Sequence, residues 1–160
     1  GESAAGDYPV ECVHTMALIV EAAESGINYE KLYHQNDLKI GTDVCNAVAN
    51  ASCSAAFDLN AKAHVVMSKS GKSAQLIAAH RPQCPIIAAT VNETACRQLN
   101  LVYGVYPIAA EEQFTTDHLL QHAMEKALET GLVKKGDLIV IVSGSVIGTN
   151  QTDLIQVHRL

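Results

Sequence analysis

The sequence predicts an α/β fold: a three-layer αβα arrangement with a mainly parallel five-stranded sheet and an antiparallel last strand. Four short apolar runs, residues 63–67, 86–89, 102–108 and 138–142, alternate with segments of helical period. Buried strands alternating with helices build parallel sheets through right-handed crossovers. A fifth, alternating run at 155–160 follows the fourth after a short loop in place of a helix, which puts it at an antiparallel edge. The 160 residues, 48% hydrophobic and 18% charged, suit one globular domain with a substantial core, plus at most a short appendage.

Taken in order, Pro9 sits where a first helical turn tolerates it. Val10, Val13, Ala17 and Val20 then recur at helical spacing to about Glu24, and Gly26 stops the helix. Residues 27–40 mix Asn, Tyr, His, Gln and Asp without a sustained period and read as a connector, dividing the chain into 1–26, 27–40 and 41–160. Thr42 can cap the next helix, with Asp43 in its first turn and Val44, Val48, Ala51, Ala55 and Leu59 on one face. The run 63–67 is too brief for a helix and rich in β-formers. A polar loop at 68–73 leads into a helix over 72–80, which Arg81-Pro82 ends, and Pro85 precedes the second strand. Asn92 or Thr94 opens a short helix through Leu99, and 102–108 forms a third strand broken by turn residues. Thr116 caps a longer helix with Leu119, Leu120, Ala123, Met124, Ala127 and Leu128 as its apolar face. Gly131 ends it in the left-handed conformation, and 134–137 turn the chain into the fourth strand.

Bulk properties exclude several function classes. With 17 acidic against 11 basic residues the net charge is −6, and no Lys/Arg cluster offsets it, so nucleic acid is not an expected partner. Five cysteines, Cys12, Cys45, Cys53, Cys84 and Cys96, form no CxxC pair, against both a disulfide framework and a zinc ribbon; reduced, mostly buried thiols are expected. No apolar run reaches the roughly 18 residues that span a bilayer, and no signal peptide precedes the first helix, so a cytoplasmic protein with no membrane partner is expected. The opening Gly1-Glu2-Ser3 lacks an initiator Met and reads as cut or processed from something longer.

The most pointed chemistry is Ser68-Lys69-Ser70-Gly71-Lys72-Ser73, at the carboxyl end of a predicted strand and the start of a predicted helix. In open parallel sheets backbone N–H groups and the helix dipole converge at such a junction. Three hydroxyls, two ammonium groups and a glycine add donors that match phosphate oxygens; the bland alternative is a solvated turn capping the next helix. Gly71-Lys72-Ser73 imitates the end of a Walker A loop, but the position needing the first glycine holds Val66, so nucleotide hydrolysis there is not expected. His118 and His122, four apart, lack the Glu and third ligand of a metalloprotease site. His64, in an apolar run, reads as a core or edge histidine making one hydrogen bond. No GxSxG elbow appears, Ser143-Gly144-Ser145 being the nearest fragment. Glu2 is either a solvated terminal residue or a catalytic carboxylate.

Gly1-Glu2-Ser3-Ala4-Ala5-Gly6-Asp7-Tyr8-Pro9-Val10-Glu11 resembles the segment that closes the catalytic barrel of pyruvate kinases. The resemblance continues in order through Ser70-Gly71-Lys72-Ser73-Ala74, Arg81-Pro82, Pro85-Ile86-Ile87, Ala95-Cys96-Arg97-Gln98-Leu99, Tyr103-Gly104-Val105, Lys135-Gly136-Asp137 and Val142-Ser143-Gly144. It covers essentially the whole chain and implies that 1–26 are the last loop and helix of a (β/α)8 barrel, while 41–160 are the C-terminal regulatory domain. By that resemblance the parent enzyme transfers a phosphoryl group from phosphoenolpyruvate to ADP, using Mg2+ or Mn2+ and usually K+, with residues of a barrel this chain lacks. Only Glu2 matches a barrel position near substrate, and its usual preceding Ser is missing, so the chain alone is expected to be inactive and to carry no cofactor or metal.

The resemblance also implies that the loop Ser68, Lys69, Ser70, Gly71, Lys72 and Ser73 holds the phosphate of an allosteric effector. In members activated by fructose 1,6-bisphosphate a Trp and an Arg bind the second phosphate. This chain has no Trp, the helix beginning at Thr116 has no Arg, and the 145–153 loop departs from the eukaryotic pattern. A sugar monophosphate or nucleoside monophosphate is therefore the expected effector. Family members are tetramers whose C-terminal domains pair through the last strand, making 155–160 the expected homo-oligomer edge. A free-standing α/β domain sensing a phosphorylated metabolite is the alternative, ahead of a small nucleotide-dependent enzyme.

Overall fold

The computed structural model describes residues 1–35, 41–145 and 151–160, and it divides into two compact units, 1–35 and 36–160. The first unit holds α1 (Glu2–Ala5), α2 (Pro9–Ser25) and α3 (Tyr29–Gln35). Pro9 occupies the first turn of α2 as expected, and Gly26 is its C-cap. Helix α3 lies inside the stretch read as connector: Asn28 Oδ1 accepts the Lys31 N–H at 2.8 Å, a capping bond that nucleates the turn. Residues 36–40 of that stretch fall outside the described residues.

The second unit contains α4 (Val44–Asp58), β1 (Ala63–Met67), α5 (Lys72–Ala79), β2 (Ile86–Thr90), α6 (Glu93–Leu99), β3 (Val105–Ala109), α7 (Thr116–Glu129), β4 (Leu138–Ser143) and β5 (Leu154–Arg159). The sheet order is β3-β2-β1-β4-β5, with β5 antiparallel to β4 and the other pairings parallel. Strand alternation sorts the core into two faces. Val66, Ile86, Ala88, Val140 and Val142 meet α4, α5 and α6 through Ala49, Cys53, Ala74, Ile77 and Leu99. Val65, Ile87, Ile139 and Ile141 meet α7 through Ala123 and Ala127. This is the three-layer αβα fold, with helices on both faces and an antiparallel last strand.

Four local expectations are corrected. Asp43, not Thr42, caps α4, its carboxylate accepting the Asn46 N–H at 3.1 Å. Thr115, not Thr116, caps α7, accepting the His118 N–H at 3.2 Å. The buried face of α4 is Ala49, Ser52, Cys53 and Ala56, while Val44 and Leu59 are exposed, because small side chains let the helix approach the sheet closely. Strand β3 starts at Val105: residues 101 and 102 still bond back to Gln98 and Leu99, and Gly104, at φ +66°, reverses the chain before pairing begins.

Candidate functional site

Everything that shapes the site stands at the carboxyl edge of the parallel strands. The chain leaves β1 at Met67, turns through 68–71 and enters α5. Gly71 makes the turn possible. It is the N-cap of α5 at φ +77°, and a Cβ there would lie 3.1 Å from two Leu99 carbons, so both backbone and packing require glycine. Having no side chain, Gly71 leaves the first turn of α5 without a side-chain cap.

The loop is internally braced. Ser68 Oγ accepts the Gly71 N–H at 3.1 Å and Ser70 Oγ the Lys72 N–H at 3.4 Å, each hydroxyl keeping its own proton to donate. Thr90, at the end of β2, donates to the Lys69 carbonyl at 3.2 Å and accepts from the Asn92 N–H, tying the loop to the neighbouring strand. The Ala110 N–H bonds back to the Thr90 carbonyl, and the Glu111 N–H donates to His122 Nε2 at 3.2 Å, so the segment after β3 is fixed between β2 and α7.

These elements enclose a cavity of about 150 Å³, lined by Ser68, Lys69, Ser70, Lys72 and Ser73, by Thr90, by 110–113 and by Gly144, Gln151 and Thr152. Gly144 follows β4, which lies on the far side of β1 from β2, so the cavity sits where the strand order reverses, a favoured ligand position in open α/β sheets. The predicted loop residues are gathered there, with two refinements. Ser73 is buried and its hydroxyl is 2.5 Å from Thr152 Oγ1, so it joins the loop to the β4–β5 connection. Lys69 Nζ lies 2.8 Å from Glu112 Oε1, and this bond holds the Glu112 carboxyl below its ordinary range. Among the described residues Lys72 is in no ion pair.

The β4–β5 connection is anchored by Asp153. Its carboxylate accepts the Ser145 N–H at 2.6 Å and the Ser145 hydroxyl at 2.7 Å, and these bonds lower its pKa. Residues 146–150 of the 145–153 loop fall outside the described residues. Sequence reasoning missed Thr90, Glu111, Glu112, Gln113 and Thr152 as wall residues. The readable signal was their position after predicted strands or, for Thr152, just before one.

Glu2 belongs to the first unit, where its carboxylate accepts the Tyr8 N–H at 3.0 Å. His118 is exposed, and His122 accepts from Glu111. His64 is fully buried, and neither ring nitrogen has a hydrogen-bond partner among the described residues, correcting the expected single bond. Burial, with a smaller contribution from His80, pushes its pKa down to about 4. All five cysteines are free. Cys53 is fully buried, the other four are partly buried, and none is exposed. Burial raises Cys53 to about 12 and Cys84 to about 11, which keeps both as inert thiols at neutral pH. Among the described residues no three His, Cys, Asp or Glu side chains converge. No described helix is long and apolar enough to cross a membrane.

A family profile described as "Pyruvate kinase, alpha/beta domain" matches residues 46–158. The pyruvate kinase of Bacillus licheniformis is 38% identical over 158 residues, covering 99% of this chain and 27% of that protein. The pyruvate kinase of Clostridium acetobutylicum is 38% identical over 160 residues, covering 98% of this chain and 34% of the other. The pyruvate kinase of Geobacillus stearothermophilus is 41% identical over 159 residues, covering 99% and 27%. The chain therefore spans about a third or less of the length of these relatives.

Proposed function

The chain belongs to the pyruvate kinase family, corresponding to the C-terminal portion with its α/β domain, and from that premise we propose that this domain is the enzyme's allosteric effector-binding and oligomerisation module. The effector is a sugar monophosphate or a nucleoside monophosphate. Its phosphate sits against Ser68, Lys69, Ser70, Gly71, Lys72 and Ser73. The observation that carries this reading is the cavity beyond β1, where that loop presents hydroxyls, the Lys72 ammonium, which is in no ion pair among the described residues, and the first turn of α5 to one open space.

A phosphate dianion there gains Lys72 as a charge-assisted partner and the N-terminal dipole of α5. Because the loop is bonded to β2 through Thr90 and to the β4–β5 connection through Ser73 and Thr152, occupancy is felt at two places in the sheet. One of them leads to β5, the end of the strand order, which among the described residues is paired only with β4. Its other edge offers backbone donors and acceptors to a second copy of the chain, and we place the homotetramer contact there. Effector binding and subunit contact are then linked through one short connection.

In this reading the parent enzyme works in cytoplasmic glycolysis, moving the phosphoryl group of phosphoenolpyruvate to ADP with Mg2+ or Mn2+ and K+ in its barrel. Glu2 is a remnant of the barrel's closing segment. Calorimetric titration of the chain with glucose 6-phosphate, ribose 5-phosphate, AMP and fructose 1,6-bisphosphate tests the effector. Saturable binding of a monophosphate, weakened about tenfold in Lys72→Met, is expected from the loss of one charge-assisted hydrogen bond. Binding of the bisphosphate alone would refute it.

A further inference from the structure

The cavity is not a uniformly positive receptor. Of the charged side chains that line it, Lys69 and Lys72 are cationic and Glu111 and Glu112 anionic, and Gln113 adds an uncharged amide. One of the two ammonium groups is already taken by the 2.8 Å contact between Lys69 and Glu112. The backbone that carries Glu112 is held in place from its own side. Glu111 is bonded through its N–H to His122 of α7, and the segment is tied to β2 through the Ala110 N–H.

From this geometry we infer that Glu112 is the specificity-determining residue of the pocket, restricting it to ligands with a single phosphate by keeping Lys69 as its own counter-ion. The inference rests on the phosphate reading of the Ser68–Ser73 loop. One phosphate can be received by Lys72, the loop hydroxyls and the first turn of α5 without breaking the Lys69–Glu112 pair. Among the described residues, a second phosphate on the same ligand would find no unpaired lysine lining the cavity and would meet the carboxylates of Glu111 and Glu112 as like charges.

The test is calorimetric titration of the chain and of Glu112→Gln with glucose 6-phosphate and with fructose 1,6-bisphosphate, with Lys69→Met as a second background. Glu112 is half-exposed and Gln is isosteric, so the variant is expected to fold as the parent does, checked by circular dichroism. The expected result is a selectivity change: about tenfold tighter bisphosphate binding in Glu112→Gln, with the monophosphate changed by no more than about twofold. In the Lys69→Met background the same substitution should lose most of that gain, since no ammonium is left to release. Equal changes for the two ligands, no change, or the full gain persisting without Lys69 would overturn the role of Glu112 while leaving the phosphate reading intact. Failure of the unsubstituted chain to bind either ligand would remove the phosphate reading, and this inference with it.

Discussion

Strand β1 carries polar groups near both ends, and they meet opposite conditions. His64, its second residue, is fully buried, with Ile86 and Val140 as its partners in the flanking strands and, among the described residues, no hydrogen bond to either ring nitrogen. Four residues later Ser68 opens a run of polar side chains that line an open cavity and bond to one another and to β2. The difference lies in the surroundings and not in the residue types. At the first position the imidazole is held neutral by the cost of charging it in an apolar space. At the second, hydroxyls and ammonium groups keep donors that solvent or a ligand can reach. A polar residue in this fold becomes a candidate for binding only where strand ends leave room for a partner.

The largest way to break this contrast is through pH. A neutral imidazole with its pKa pushed to about 4, against an ordinary value near 6.5, binds its proton more readily in the unfolded chain. Its contribution is therefore intact above the ordinary value and is lost as pH falls toward about 4, by roughly 3 kcal/mol in all. His80, also lowered by burial, acts in the same direction. Urea unfolding at pH 7 and pH 4.5 should show His64→Leu losing much less stability on acidification than the unsubstituted chain. Equal losses would mean that His64 protonates without penalty, and the contrast would collapse.

At the other end of β1 the sharpest probe is Gly71→Val. A side chain at φ +77° is strained, and its Cβ would press on Leu99, which together should destabilise the fold by about 2 kcal/mol. Thermal unfolding reads that loss, and phosphate binding should disappear with it, since the loop can no longer hold its turn. A smaller effect separates stability from binding. Asn92→Ala removes the cap whose Oδ1 accepts the Thr94 and Ala95 N–H groups and should cost about 1 kcal/mol in chemical unfolding, with effector affinity changed by less than about twofold.

Much of the fold was legible because parallel strands buried on both faces announce themselves as short apolar runs; 63–67 matches β1 residue for residue. Helix starts were less legible where two capping residues adjoin, as at Thr42-Asp43 and Thr115-Thr116. The choice between them depends on which oxygen reaches the N3 amide, a matter of backbone geometry. The face of α4 was misread for a related reason. Its largest side chains look like the core, yet the sheet accepts the small ones. The loop Ser68–Ser73 could be found because its residues are contiguous. Its partners could not: Glu112 lies 43 positions from Lys69 and Thr152 lies 79 from Ser73, and only the sheet order brings them together.

Whether the backbone and side chains just past β1 receive a phosphate is tested most directly by following their amide signals by NMR as glucose 6-phosphate is added, with glucose as the control. Saturable shifts concentrated at Ser70, Gly71, Lys72 and Ser73 are expected, with smaller ones at Thr90 and Thr152, and none with glucose. Shifts absent from that loop, or equal for the sugar with and without its phosphate, would contradict the phosphate reading.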